Sequence, residues 1–257
     1  MIDTHTHLYI SDSSPDGGKA AVGRALEAGV ELMVLPNIDR GSLAPLLALN
    51  RDYPENTAVA IGLHPTEVEA DWKEELKEIM ERGEEADPVA IGEIGLDLYW
   101  EKRYLVRQMD AFGEQIQIAI DKNLPVIIHS RDALEETIES LKNFRTLPRL
   151  VFHSFTGGPE EAGKLLETAP DAFFGINGVV TFKNAQPLRE AVAFLDNEKI
   201  VTETDSPFLA PVPFRGKTNE SAYIPHIVES IAAIKRLPPE EVKRFTTENA
   251  RKLFSIK

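Results

Sequence analysis

The chain has no cysteine among its 257 residues. Disulfides and thiolate metal sites are therefore excluded. The composition fits a reducing compartment, which makes a cytoplasmic location the expectation. A run of about 18 apolar residues is also missing, so no membrane span is expected. Asp3 and His5 interrupt the first apolar stretch and no basic segment precedes it, so no signal peptide is expected. Positive charge is in deficit: 28 Lys+Arg against 42 Asp+Glu leave a net charge of −14. An acidic surface argues against broad adhesion to nucleic acid while permitting a local basic rim around one site. Histidine is scarce as well, with six in the chain, yet His5 and His7 stand one residue apart in the opening MIDTHTHLYI.

What is plentiful is short, β-rich sequence. Eight such segments begin at Ile2 (IDTHTH), Glu31 (ELMVLPNI), Thr57 (TAVAIGLH), Pro88 (PVAIGEIG), Leu124 (LPVIIHS), Arg149 (RLVFHSF), Ala172 (AFFGING) and Lys199 (KIVTETDS). Valine and isoleucine enrichment with Gly, Pro and Asn at the boundaries predicts strands. Between them, ADWKEELKEIMERG and ALEETIESLKNF carry apolar residues at helical spacing. VRQMDAFGEQIQIAI places Val106, Met109, Phe112, Ile116 and Ile120 on one stripe, and PPEEVKRFTTENARKLF opens on prolines suited to a helix N-terminus. Eight strands alternating with helices predict an α/β chain of parallel βαβ units, hence a (β/α)8 TIM-type barrel with its active site at the strand C-terminal rim. An open doubly wound sheet is the alternative. No linker or composition break divides the chain, so a single domain over 1–257 and a monomer are expected.

The unusual residues fall at the ends of those segments. His5 and His7 end the first, His64 follows the third in GLHP, and Glu93 ends the fourth in IGEIG. His129 ends the fifth, His153 the sixth and Asp205 the eighth, in VIIHS, VFHS and TETDSP. In a parallel barrel all these ends face one rim. Side chains alternate along a strand, so His5 and His7 share a face and can grip one ion. Imidazole suits Zn, Mn, Ni or Co, and carboxylates admit harder ions such as Mg. A carboxylate at Glu93 can bridge, which assigns His5, His7, Glu93 and Asp205 to one divalent metal and Glu93, His129 and His153 to a second. Two metals about 4 Å apart can activate a water and stabilise attacking and leaving oxygens, the chemistry of phosphoryl or acyl hydrolysis. Asp205 could ligate a metal and accept the water's proton. Glu203, two residues earlier, either orients a ligand or forms a barrel-interior ion pair. A single HxH is weak evidence, but six ionisable residues at the ends of five strands are hard to bury without partners. His226, in AYIPHIVESI, lies outside this pattern and is expected to pack or hydrogen-bond.

The motifs IDTHTHL, GLHP, IGEIGLD, LPVIIHSRDA, VFHSFTGG, GINGVVTFKNA, TETDSPFLAPVPFRGKTNE and ENARKLF, in this order over nearly the whole chain, resemble the TatD family of metal-dependent deoxyribonucleases. The resemblance implies a divalent-metal hydrolase of phosphodiesters, typically a 3′-to-5′ exonuclease on single-stranded DNA, with RNA cleaved by some members. It also implies His5, His7, Glu93, His129, His153 and Asp205 as metal ligands, and His64 as a contact of the scissile phosphate. Two positions depart from the family. Tyr9 stands where an aspartate is common, and Ser221 replaces the usual proline in RGKTNESA. Both are expected on loops that shape the substrate groove.

A nuclease must neutralise phosphate. The candidate rim cations are Arg131, Lys183, Arg215 and Lys217, with Asn219 and Glu220 anchoring the last loop. Tyr99, Trp100 and Phe182 could stack on the bases of a single strand or close the barrel mouth. The competing reading is a small-molecule amidohydrolase or lactonase built on the same metal site.

Overall fold

The computed structural model describes residues 1–10, 16–100 and 102–256. Strands and helices alternate throughout: β1 (Ile2–Asp3), α1 (Lys19–Glu27), β2 (Leu32–Pro36), α2 (Leu43–Asp52), β3 (Thr57–Ile61), α3 (Trp72–Gly83), β4 (Ala90–Asp97) and α4 (Leu105–Lys122). They continue as β5 (Val126–Arg131), α5 (Leu134–Lys142), β6 (Leu150–Phe152), α6 (Pro159–Thr168), β7 (Phe173–Ile176), α7 (Gln186–Phe194), β8 (Ile200–Thr202), α8 (Ile224–Lys235) and α9 (Pro239–Phe254). The sheet runs β1 to β8 in sequence order, every pair parallel. Thr4 N–H donates to Thr202 O (3.0 Å) and His7 N–H to Ser206 O (2.8 Å), joining the last strand to the first. This is the (β/α)8 barrel. The strand order has no reversal, so a doubly wound sheet does not describe it. No helix among the described residues is long and apolar enough to cross a membrane.

Period-two alternation sorts the strand residues. Ile2, Val34, Ala60, Ala90, Ile127, Val151, Phe173 and Val201, one from each strand, form a single interior cluster. Leu253 and Phe254 at the end of α9 belong to the same cluster. Asn249 of α9 donates to Asn197 O and Ile200 O, both 2.7 Å, which fixes the helix across the end where β8 begins. The alternate residues, among them Met33, Leu35, Ile61, Ile128 and Phe174, pack outward against the helices.

Two expectations are corrected. β1 stops at Asp3 and β8 at Thr202, so His5, His7 and Asp205 sit on the connections beyond the strands. The Asp3 carboxylate is the reason: it accepts His5 N–H (3.3 Å), Thr204 N–H (2.9 Å) and the Thr204 hydroxyl (2.6 Å), drawing those donors away from a ladder. The stripe expected on α4 is also rotated. Val106 is exposed, and the buried face contains Gln108 and Gln115 beside Phe112 and Ile116. Gln108 accepts Asp97 N–H and donates to Asp97 O, and Gln115 does the same for Leu63, so polar anchoring sets the helix's rotation.

Candidate metal centre

Strict alternation from Ala90 would turn Gly92 inward and Glu93 out. A register shift against β5 between Ile91 and Ile94 breaks the alternation, and Glu93 faces the histidines. An extra residue in one strand re-aims a side chain in this way. Two glycines leave room nearby, one for Glu203 and one for the β5 backbone at His129. A Cβ at Gly175 would lie 2.1 Å from Glu203 Oε2, and one at Gly95 would lie 1.9 Å from the His129 carbonyl oxygen. Asp205 adopts a left-handed backbone (φ 56°), an uncommon conformation that recurs at functional sites, and its N–H donates to His5 O (2.9 Å).

Glu93 is the hub. Its Oε1 lies 2.7 Å from His129 Nδ1, 3.2 Å from His153 Nε2 and 3.5 Å from His64 Nε2. Its Oε2 lies 3.1 Å from His5 Nε2 and 3.6 Å from His7 Nε2. Asp205 Oδ1 is 3.9 Å from both His5 and His7 Nε2. Three ligand-spaced groups result: His5–His7–Asp205, His5–Glu93–His153 and His64–Glu93–His129. His64 thus stands at ligand distance too, which its place after β3 alone did not reveal.

The groups behind these rings set their tautomers. Asp97 Oδ2 can only accept, so His129 Nε2 donates to it (3.0 Å) and Nδ1 faces Glu93. Glu203 Oε1 likewise accepts from His153 Nδ1 (3.1 Å) and from Ser154 N–H (2.5 Å), leaving Nε2 inward. The Tyr9 hydroxyl spends its proton on Pro36 O, so it accepts from His7 Nδ1 (3.0 Å) and leaves Nε2 as a lone pair. Of the two readings of Glu203, the contact to His153 makes it both ring orienter and interior partner. Asp97 escaped the sequence reading, although its place four residues after Glu93 in EIGLD was a usable signal. Asp97→Ala is expected to lower metal affinity about 10- to 100-fold, measured by competition with a chromophoric chelator. An unchanged affinity would show that His129 needs no such support.

The electrostatics fit a cation. Burial drives the Glu93 carboxyl up, but the charges of His153, His5 and His64 and the His129 hydrogen bond outweigh it and hold it well below the usual range. Burial would lower His129 and His153, yet Asp97 and Glu93 raise the first, and Glu93 and Glu203 hold the second well above its ordinary value. Burial and the neighbouring His153 charge keep His5 low, and its Nδ1 is buried without a hydrogen-bond partner. Its Nε2 faces the Nε2 of His7 at 3.1 Å. Opposed ring nitrogens around a charged carboxylate are a donor set for divalent metal, whose binding would displace the inner protons.

A cavity of about 610 Å³ opens over this cluster, lined among others by His64, Asp97, His129, Arg131, Trp100 and Phe208. Arg131 lies over the Tyr99 ring at 4.2 Å, so Tyr99 backs the guanidinium rather than lining the cavity. Arg215 sits over Phe182 at 3.7 Å and Lys217 over Phe214 at 5.6 Å, and neither they nor Lys183 line it. Asn219 anchors the loop after β8 by donating to Thr204 O (2.8 Å) and Phe208 O (2.5 Å), and Glu220 accepts from Arg24. His226 packs edge-on to Phe214, 5.2 Å between centroids, as expected of a residue outside the site. Tyr9 and Ser221 do not shape the groove. Both are buried, Tyr9 beneath His7 and Ser221 with its hydroxyl 3.4 Å from Thr6 Oγ1.

A family model described as TatD related DNase matches residues 2–255. The metal-dependent hydrolase YabD of Bacillus subtilis is 37% identical over 257 residues, covering 100% of this chain and 99% of its own. The metal-dependent hydrolase TatD of Mycobacterium tuberculosis is 31% identical over 264 residues, covering 100% and 98%. The crystal structure of YJJV, a TatD homologue from Escherichia coli K12, superposes with a TM-score of 0.91 at 30% identity, covering 100% of this chain and 98% of that one.

Proposed function

The chain belongs to the TatD-related DNase family of metal-dependent hydrolases, and on that premise we propose that it hydrolyses phosphodiesters, as a 3′-to-5′ exonuclease on single-stranded DNA. The observation that carries the reading is Glu93, one carboxylate within 3.6 Å of five imidazoles at the floor of the cavity. His5, His7, Glu93 and Asp205 would hold one divalent ion, and Glu93, His129 and His153 a second. When bound, such ions supply positive charge against phosphoryl oxygens and acidify water. Asp205 would take the proton of the attacking water on the carboxylate oxygen that does not face His5 and His7, and burial raises its carboxyl to about 6. His64 and Arg131, both lining the cavity, hold the phosphate in line.

The test is a 5′-labelled single strand incubated with chelator-stripped protein and with Mg, Mn or Zn restored. Shortening from the 3′ end one nucleotide at a time, only with metal, is the expected result. Rapid turnover of lactones or amides without nucleotide release would overturn the reading. With Arg131 the one lysine or arginine among the described residues lining the cavity, the logarithm of kcat/KM should fall with the logarithm of salt at a slope of about −0.7. A slope steeper than about −3 would mean that a basic track outside the cavity binds the strand.

A further inference from the structure

Two well-exposed aromatic rings line the cavity over the cluster: Trp100, 68% exposed, and Phe208, 55% exposed. They come from opposite walls. Trp100 follows β4 and Phe208 follows β8, four strands apart in the sheet order. Each is tied to the cluster by one hydrogen bond of its own backbone. Trp100 N–H donates to Asp97 Oδ1 (2.8 Å), the carboxylate whose other oxygen holds His129. Phe208 N–H donates to Asp205 O (2.9 Å), and Asn219 clamps the Phe208 carbonyl from the far side. The backbone from which each ring projects is therefore held beside the cluster.

The charge around them is sparse. Arg131, 5.6 Å from the Trp100 ring centroid, is the one lysine or arginine among the described residues that line the cavity. The chain as a whole carries a net charge of −14, which disfavours further phosphates. Affinity for a long strand ordinarily comes from neutralising many phosphates, and this site offers little of that. It offers stacking, which every base satisfies, in a cavity of small-ligand size, about 610 Å³.

Resting on the phosphodiesterase reading, we propose that the site recognises its diester through the two nucleobases that flank the scissile phosphate, one on Trp100 and one on Phe208. A dinucleotide is then a complete substrate, and chain beyond it contributes little.

The experiment compares the metal-reconstituted full chain with Trp100→Ala and Phe208→Ala on thymidine dinucleotide, on the same dinucleotide with either base removed, and on a thymidine decanucleotide. Each variant should lose about 5- to 150-fold in kcat/KM on the intact dinucleotide, mainly through KM. Removing one base should cancel the effect of one variant and leave the other, and the decanucleotide should be cleaved within about fivefold of the dinucleotide per end. A second readout needs no turnover. Of the two tryptophans, Trp72 is buried and Trp100 exposed, so dinucleotide should quench the fluorescence of the metal-free wild type and not of Trp100→Ala. Cleavage that ignores both variants or both base deletions overturns this proposal alone, as does a decanucleotide preferred by more than about a hundredfold. A wild type inert on every strand overturns the phosphodiesterase reading, and this one with it.

Discussion

Glu93→Gln should bind at most one divalent ion per chain and lose at least about a thousandfold in kcat/KM, since several kcal/mol of charge stabilisation rest on the ions it places. The expectation follows from position more than from residue type. One oxygen of Glu93 faces His129, His153 and His64 and the other faces His5 and His7. The amide keeps the volume but not the second anionic oxygen, so it cannot serve both groups. Elemental analysis after reconstitution, paired with strand shortening, separates the outcomes. Two ions retained with full activity would remove Glu93 from the bridging position. Two ions retained with activity lost would make its role electrostatic and leave binding to the histidines and Asp205.

Gly95→Ala is expected to destabilise the fold by more than about 4 kcal/mol, in the range reserved for overpacking against rigid backbone combined with a forbidden conformation. Gly95 pairs with His129 across the β4–β5 ladder, its φ is 142°, and the added methyl would meet the His129 carbonyl oxygen at 1.9 Å. Neither the methyl nor the carbonyl can move without shifting the strand that carries His129. Gly113 on α4 is the internal control. Nothing lies within 4 Å of a Cβ built there, so Gly113→Ala should stabilise by about 0.5–1 kcal/mol. Urea unfolding of both variants tests the pair, and a loss under about 1 kcal/mol for Gly95→Ala would show that β4 is not held against β5 at this point.

The barrel was legible because its strands are buried on both faces and read as short valine- and isoleucine-rich runs between helical patterns. The cluster was legible because histidine is rare here and five of the six fall where such runs end. What escaped depends on neighbours distant in sequence. The inward turn of Glu93 comes from a register shift against β5, which nothing local to IGEIG announces. Gln108 and Gln115 lie outside the apolar stripe expected on α4, yet they face inward because Asp97 and Leu63 present backbone groups to them. Tyr9 read as a groove residue because it stands where the family has an acid. In three dimensions the chain folds back so that its hydroxyl reaches Pro36 and His7. Arg215 and Lys217 read as rim cations from their place after β8, and their stacking over Phe182 and Phe214 depends on where those rings lie in space.

The plug formed by Leu253 and Phe254 beneath the ring of eight interior residues makes the barrel a cul-de-sac. Below the site the interior is packed hydrocarbon, so the mouth is the way in and out. In the exonuclease proposed here, a freed monophosphate and the strand end it came from would share one doorway.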